Sequence, residues 1–217
     1  ARSHFVRFGG CGRRCVWCDS MHAVLPDQVK ANAKWMDVED IRFGLNMLKP
    51  SPWVTFSGGD PMMWDLNKLV DVLHADGYKL NIETQGDLYK HYAKYIDLLT
   101  LSPKPPSAGP QDGPPNYTVI DRLLAAREER DVVLKVVIFT EEDLVFAREL
   151  HSMYPRIPFY LSVGTPHPSP YTGDMLRTEV ANRFRFLAEQ VLNCDDLADV
   201  RVLPQLHVIA WAEALEV

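Results

Sequence analysis

Phe5-Val6-Arg7-Phe8-Gly9-Gly10-Cys11-Gly12-Arg13-Arg14-Cys15-Val16-Trp17-Cys18 opens on a short apolar run and closes on three thiols within eight residues. Phe5–Phe8 predicts a strand, and Gly9-Gly10 ends it, so the cysteines fall in the loop at its C-terminal end. The arrangement recurs along the chain. Trp53–Ser57 leads into Gly58-Gly59-Asp60-Pro61, and Lys79–Glu83 ends in Glu83-Thr84-Gln85-Gly86. Leu98–Ser102 leads into Pro103-Lys104-Pro105, and Val200–Leu203 into Pro204-Gln205-Leu206-His207. Two further strands are predicted at Val132–Phe139 and Phe159–Val163. Polar or glycine-rich loops after successive strands are where βα barrels keep their chemistry.

Between the strands lie helix-like segments at Val38–Leu48, Asp65–Asp76, Tyr89–Tyr95, Tyr117–Glu129, Glu141–Met153 and Asp174–Leu192. Leu66, Leu69, Val70 and Leu73 repeat at the spacing of one buried helix face. Thr140 ahead of Glu141-Glu142-Asp143, and Asp37 ahead of Glu39 and Asp40, supply caps and acidic first turns. Gly77 supplies a stop. Strands alternating with helices predict an α/β fold around a mainly parallel sheet. About seven strands suit a partial βα barrel, with residues 1–217 as a single domain.

A net charge of -6 argues against a broad nucleic-acid footprint while allowing a local basic pocket. No run approaches the roughly 18 apolar residues of a membrane span. No secretory leader opens the chain, and the clustered thiols make a reducing compartment, the cytoplasm, the expectation. The sequence starts at Ala1 without Met, so a segment ahead of residue 1 is expected.

Of four cysteines, three are clustered, a pattern of metal ligation rather than of a disulfide framework. Thiolates suit zinc, copper(I) or iron–sulfur clusters. A structural zinc site wants a fourth ligand, for which His4, His22 or Cys194 are candidates. An iron–sulfur cluster on three cysteines leaves one iron open to a small molecule. Cys194, far from the triad, is expected to be an inert, partly buried residue.

The Cys-x3-Cys-x2-Cys spacing after a first strand resembles the signature of the radical S-adenosylmethionine (SAM) superfamily. The resemblance implies a [4Fe–4S] cluster on Cys11, Cys15 and Cys18, with SAM chelated to the open iron. Gly58-Gly59-Asp60-Pro61 resembles the superfamily's Gly-Gly-Glu-Pro loop, which holds the SAM amino group, with Asp60 in place of Glu. The same resemblance makes Glu83 a partner of the SAM ribose, and Ser102, Lys104, Trp17 and Asp19 further SAM contacts. Trp17, between two ligands, is also placed to shield the cluster.

Arg7, Cys15-Val16-Trp17-Cys18-Asp19-Ser20, Ser57-Gly58-Gly59-Asp60-Pro61, Glu83-Thr84-Gln85-Gly86, Leu101-Ser102-Pro103-Lys104-Pro105-Pro106 and Leu203-Pro204-Gln205-Leu206-His207 occur in order. Together they resemble the 7-carboxy-7-deazaguanine synthase family, along nearly the whole chain. The resemblance implies a carbon–nitrogen lyase of queuosine biosynthesis. On that resemblance, a 5'-deoxyadenosyl radical is expected to take hydrogen from 6-carboxy-5,6,7,8-tetrahydropterin, and the ring to contract to 7-carboxy-7-deazaguanine with loss of ammonia. It implies Arg7, Ser57, Gly59 and His207 as substrate contacts and Ser20 as a Mg²⁺ ligand. A guanidinium suits the substrate carboxylate, and a hydroxyl suits a hard cation. It also implies a homodimer, and an electron donor such as flavodoxin is expected; the basic pair Arg13-Arg14 is either a docking point for such an acidic donor or a solvated loop tip. Two departures stand out. The family's Gln-Gly-Glu-Gly segment would precede residue 1, and Ser162 stands where some relatives carry Gln. The rival readings are another small radical SAM enzyme, such as a glycyl-radical activase, and a zinc-stabilised binding module.

Overall fold

A computed structural model describes residues 2–110, 113–165 and 168–212, the Arg130 side chain aside. The chain divides into two compact units, Ala1–Arg13 with Ser20–Ser102 and Pro115–Val133, and Arg14–Asp19 with Pro103–Pro114 and Leu134–Val217.

In the first unit four strands, β1 (Ser3–Phe8), β2 (Trp53–Gly58), β3 (Lys79–Thr84) and β4 (Leu98–Leu101), pair in parallel in chain order. Alternation decides which way each side chain points. Val54, Phe56, Leu80, Ile82, Leu99 and Leu101 are fully buried on one face. Truncating a ring such as that of Phe56 to Ala would cost about 3–5 kcal/mol. Against that face packs α3 (Asn67–Ala75), which buries Leu69, Val70 and Leu73. It stops at Gly77, whose positive φ of 88° lets Tyr78 N–H reach back to Leu73 O. The unit also holds α1 (Pro26–Asn32), α2 (Val38–Asn46) and α4 (Tyr117–Ala125). Helix α2 starts in a capping box between Asp37 and Asp40, and α4 on an Asn116 cap.

The second unit repeats the logic with β5 (Val132–Ile138, in this unit from Leu134), β6 (Phe159–Val163) and β7 (Arg201–Leu203), again parallel in chain order. Helices α5 (Glu141–Met153), α6 (Gly173–Leu192) and α7 (Leu206–Trp211) complete it. Thr140 and Asp143 close the capping box of α5.

Several boundaries differ from those expected. The Tyr89–Tyr95 helix is a short 3-10 turn, His91–Tyr95, packed through Tyr92 and Ala93. Helix α4 stops at Ala125 rather than Glu129, and Arg127 beyond it turns its guanidinium onto the carbonyls of Ala93 and Ile96. Strand β5 stops before Phe139 because the N–H groups of Phe139 and Thr140 both donate to Asp143. Helices α1 and α7 were not expected. No helix among the described residues is long and apolar enough to cross a membrane.

Candidate active site

The cysteine loop and the Gly-Gly-Asp loop of the first unit are laced together by their backbones. Gly59 N–H donates to Phe8 O (2.9 Å), Asp60 N–H to Gly10 O (2.7 Å) and Gly10 N–H to Ala23 O (2.7 Å). A Cβ on Gly59 would overlap the Gly10 and Ala23 carbonyl oxygens, and one on Gly58 (φ 133°) would overlap the Phe8 backbone. The chain itself therefore requires both glycines, independently of any ligand. Asp60 is fully buried, and its Oδ1 accepts from Met62 N–H (3.0 Å) and Thr84 Oγ1 (2.8 Å). Its carboxylate thus braces the β2 loop against β3. Behind it Tyr92 donates to the carbonyls of Pro61 and Trp64. Burial, then the negative charges of Asp60 and Asp65, push the Tyr92 phenol above its ordinary value.

On the sheet face opposite the buried side chains, the same strand ends carry a polar row. Arg7 lies beside Ser57 in the β1–β2 register, and Glu83 beside Thr100 in the β3–β4 register. Ser57 and Glu83 each follow the paired residues Phe56 and Ile82 by one position. Arg7 is exposed, with its guanidinium 5.3 Å from the Phe5 ring centroid and Nη1 donating to Ser20 Oγ at 3.3 Å. Ser20, Ser57 and Glu83 are half-buried. Thr100 donates to Asn81 Oδ1 at 3.4 Å on this face. Neither was singled out, although period-two counting back from Glu83 reaches Asn81. Ser102 at the end of β4 is buried, with its N–H on Thr84 O at 2.7 Å.

Cys11 also belongs to this unit. Its thiol donates to Gln85 Oε1 at 3.5 Å, and its sulfur accepts Arg13 N–H at 3.4 Å. The side chain of Arg13 is only 5% exposed and bonds Asp87 with two nitrogens. Arg13 is thus neither the solvated loop-tip charge nor the exposed docking charge expected of Arg13-Arg14. A guanidinium buried to that degree needs a carboxylate to offset its desolvation, and Asp87 supplies it.

The second unit holds the other two thiols in one turn, with Cys18 N–H donating to Cys15 O at 3.1 Å. That turn is pinned to the Pro-rich loop by Val16 N–H on Ala108 O (2.9 Å) and Trp17 Nε1 on Ser107 Oγ (3.0 Å). One face of the Trp17 indole stacks on Phe139 at 4.8 Å between centroids. Gly164 makes room for that ring, since a Cβ there would collide with Phe139. Asp143, fully buried, accepts from the N–H groups of Ser107, Phe139 and Thr140 at 3.0, 2.8 and 3.1 Å. It organises the loop that holds Trp17, a role its place in a capping box did not announce. Lys104 is half-buried in that loop, Asp19 is exposed, and His207 is exposed on α7. Cys194 is half-buried and free. Ser162 lies on β6 beside Val137 of β5.

Among the described residues no three His, Cys, Asp or Glu side chains already form a metal-binding group. The donor chemistry nevertheless suits an iron–sulfur cluster. All three thiols are free of disulfides, and two share one turn.

No family model matches the chain. It is 36% identical over 217 residues to 7-carboxy-7-deazaguanine synthase of Bacillus subtilis, covering 97% of this chain and 88% of that one. The Bacillus cereus enzyme of the same name is 32% identical over 213 residues, with the same coverage. Among solved structures, QueE from Escherichia coli superposes with a TM-score of 0.62 at 21% identity, over 92% of this chain and 83% of that one. Streptococcus suis SuiB bound to S-adenosylmethionine gives 0.54 at 12% identity, over 95% and 48%. These likenesses show the α/β partial-barrel fold.

Proposed function

The chain belongs to the 7-carboxy-7-deazaguanine synthase family, and from that premise we infer that it contracts the ring of 6-carboxy-5,6,7,8-tetrahydropterin to 7-carboxy-7-deazaguanine with loss of ammonia. Residues 1–217 act as one radical SAM domain. Cys11, Cys15 and Cys18 hold a [4Fe–4S] cluster, with SAM on its open iron. Bound there, the pair supplies the 5'-deoxyadenosyl radical that starts the reaction.

One observation supports the assignment of the substrate end, the Arg7 guanidinium bonded to the Ser20 hydroxyl at 3.3 Å on a strand whose Arg7 lies beside Ser57 in the β1–β2 register. Arg7 takes the substrate carboxylate with its free nitrogens, a geometry Lys does not reproduce. Ser20 Oγ is a hard, neutral oxygen that suits Mg²⁺. A cation there would be repelled by Arg7 unless a carboxylate lay between them, so Mg²⁺ and substrate are expected to bind together. Ser57, Gly59 and His207 complete the substrate contacts. Glu83, half-buried beside Thr100, takes the SAM ribose hydroxyls. Gly58, Gly59, Ser102, Lys104, Trp17 and Asp19 line the rest of the SAM site. Asp60 serves it through its backbone and by bracing the loop, since its side chain is fully buried. A homodimer is supported by the family resemblance and a cytoplasmic location by the clustered thiols, and the electron donor is of the flavodoxin type.

The test is anaerobic reconstitution followed by turnover of the tetrahydropterin with SAM, Mg²⁺ and a reductant. Deazapurine formation is expected, with Arg7→Ala raising KM at least tenfold. SAM cleavage without a deazapurine would overturn the substrate assignment, and a colourless zinc protein would overturn the chemistry.

A further inference from the structure

Gln85 has no role in the reading above, yet its side chain meets the sulfur of Cys11. We propose that Gln85 is a positioning residue that donates an amide N–H···S hydrogen bond to the Cys11 thiolate and raises the potential at which the cluster is reduced. The proposal rests on Cys11 being a cluster ligand.

The contact runs at 3.5 Å from the protonated thiol to Gln85 Oε1. A ligating thiolate has no proton to give, so an oxygen facing it would be repelled. A carboxamide resolves this by turning 180° about its last bond, which puts Nε2–H where the oxygen was. Glutamate has no such donor, and leucine has neither donor nor acceptor. Gln85 is only 5% exposed, so water is a poor substitute partner, and an unmade amide hydrogen bond is costly there.

The backbone that carries this side chain is fixed, and the side chain's tip lies beside the cysteine loop. Its backbone lies in a turn fixed by Gly86 N–H on Thr84 Oγ1 (3.3 Å) and by a φ of 82° at Gly86. Its Nε2 faces Gly12 of the cysteine loop, close enough that a Cβ there would be in contact at 3.7 Å. The Arg13 N–H, 3.4 Å from the same sulfur, supplies Cys11 with a second donor. Donors to cluster sulfurs favour the more negative, reduced state and raise its potential.

The experiment is an EPR-monitored redox titration of reconstituted wild type, Gln85→Leu and Gln85→Glu, without SAM. Both variants are expected to reduce less readily. The one-electron reduction constant should fall roughly three- to tenfold for Gln85→Leu, tenfold being about 59 mV. It should fall further for Gln85→Glu. In wild type labelled with ¹⁵N on glutamine side chains, pulsed EPR of the reduced cluster should show a ¹⁵N coupling that needs no variant to assemble a cluster. Unchanged potentials in variants with intact clusters, or no ¹⁵N coupling in wild type, would overturn the proposal alone. A wild-type protein that takes up no cluster would overturn the functional reading and this inference with it.

Discussion

Arg13 and Asp87 form a two-pronged ion pair, Nε to Oδ2 at 2.5 Å and Nη2 to Oδ1 at 2.8 Å, between the cysteine loop and the turn after β3. Asp87 also accepts Asn116 N–H at 3.4 Å at the start of α4. One carboxylate thus joins three segments of the first unit. Arg13 contributes twice, its side chain anchoring the loop and its N–H meeting the Cys11 sulfur.

Arg13→Ala leaves Asp87 without its cation, and Asp87→Asn leaves a buried guanidinium without its anion. Each is expected to cost about 2–4 kcal/mol, toward the lower side for a pair with one partly exposed member. Arg13→Lys keeps the charge and loses the fork, and should recover only part of that. Urea unfolding of the cluster-free protein measures all three, and the double variant should lose less than the sum.

Two glycines separate steric need from mere tolerance. Gly59→Ala forces a Cβ into the Gly10 carbonyl, where backbone must move, and is expected to cost more than about 4 kcal/mol or to prevent folding. Gly44 sits inside α2 with nothing within 4 Å of its missing Cβ. Gly44→Ala should therefore stabilise by about 0.5–1 kcal/mol. Thermal unfolding of the two variants beside wild type gives opposite signs.

The strands and their loops were legible because β-branched runs ending in Gly or Pro carry both a period and a stop. Helix α1 was not, because Pro26-Asp27-Gln28-Val29-Lys30-Ala31-Asn32 has no apolar stripe and buries no residue. Helix α7 is six residues long, too short for periodicity to register. At the site, residue types named the chemistry, but burial reassigned several of them. Arg13, read as a docking or solvated charge, and Asp143, read as part of an acidic first turn, became internal fastenings. The Gly58-Gly59 pair, expected to admit a ligand, is required first by two strands of backbone crossing.

Acid should weaken the first unit through Asp76. The Arg42 guanidinium, bonded to it at 2.6 Å by two nitrogens, holds this carboxyl below its ordinary value of 3.8. A carboxyl lowered on folding stabilises the fold fully above its unfolded pKa, and that contribution fades as pH falls through the lower, folded value. Asp76→Asn should therefore melt below wild type at neutral pH, with the gap closing below about pH 4. Melting temperatures of the cluster-free proteins from pH 2 to 7 test this, and a gap that widens in acid would contradict it.

Thr84 is the residue through which β3 steadies the Gly-Gly-Asp loop. Its hydroxyl donates to the fully buried Asp60, and the Asp60 N–H in turn holds Gly10 O, one residue from Cys11. Thr84→Val keeps the shape and removes the donor, leaving a buried carboxylate short of a partner at a cost of about 1–3 kcal/mol. Thr84→Ser keeps the hydroxyl and should retain most of the stability. If bracing this loop serves SAM binding, the KM for SAM should rise in Thr84→Val and return in Thr84→Ser, with kcat much less affected. A loss of stability with the KM unchanged would confine Thr84 and Asp60 to holding the fold, and would leave the SAM site to the glycine backbone alone.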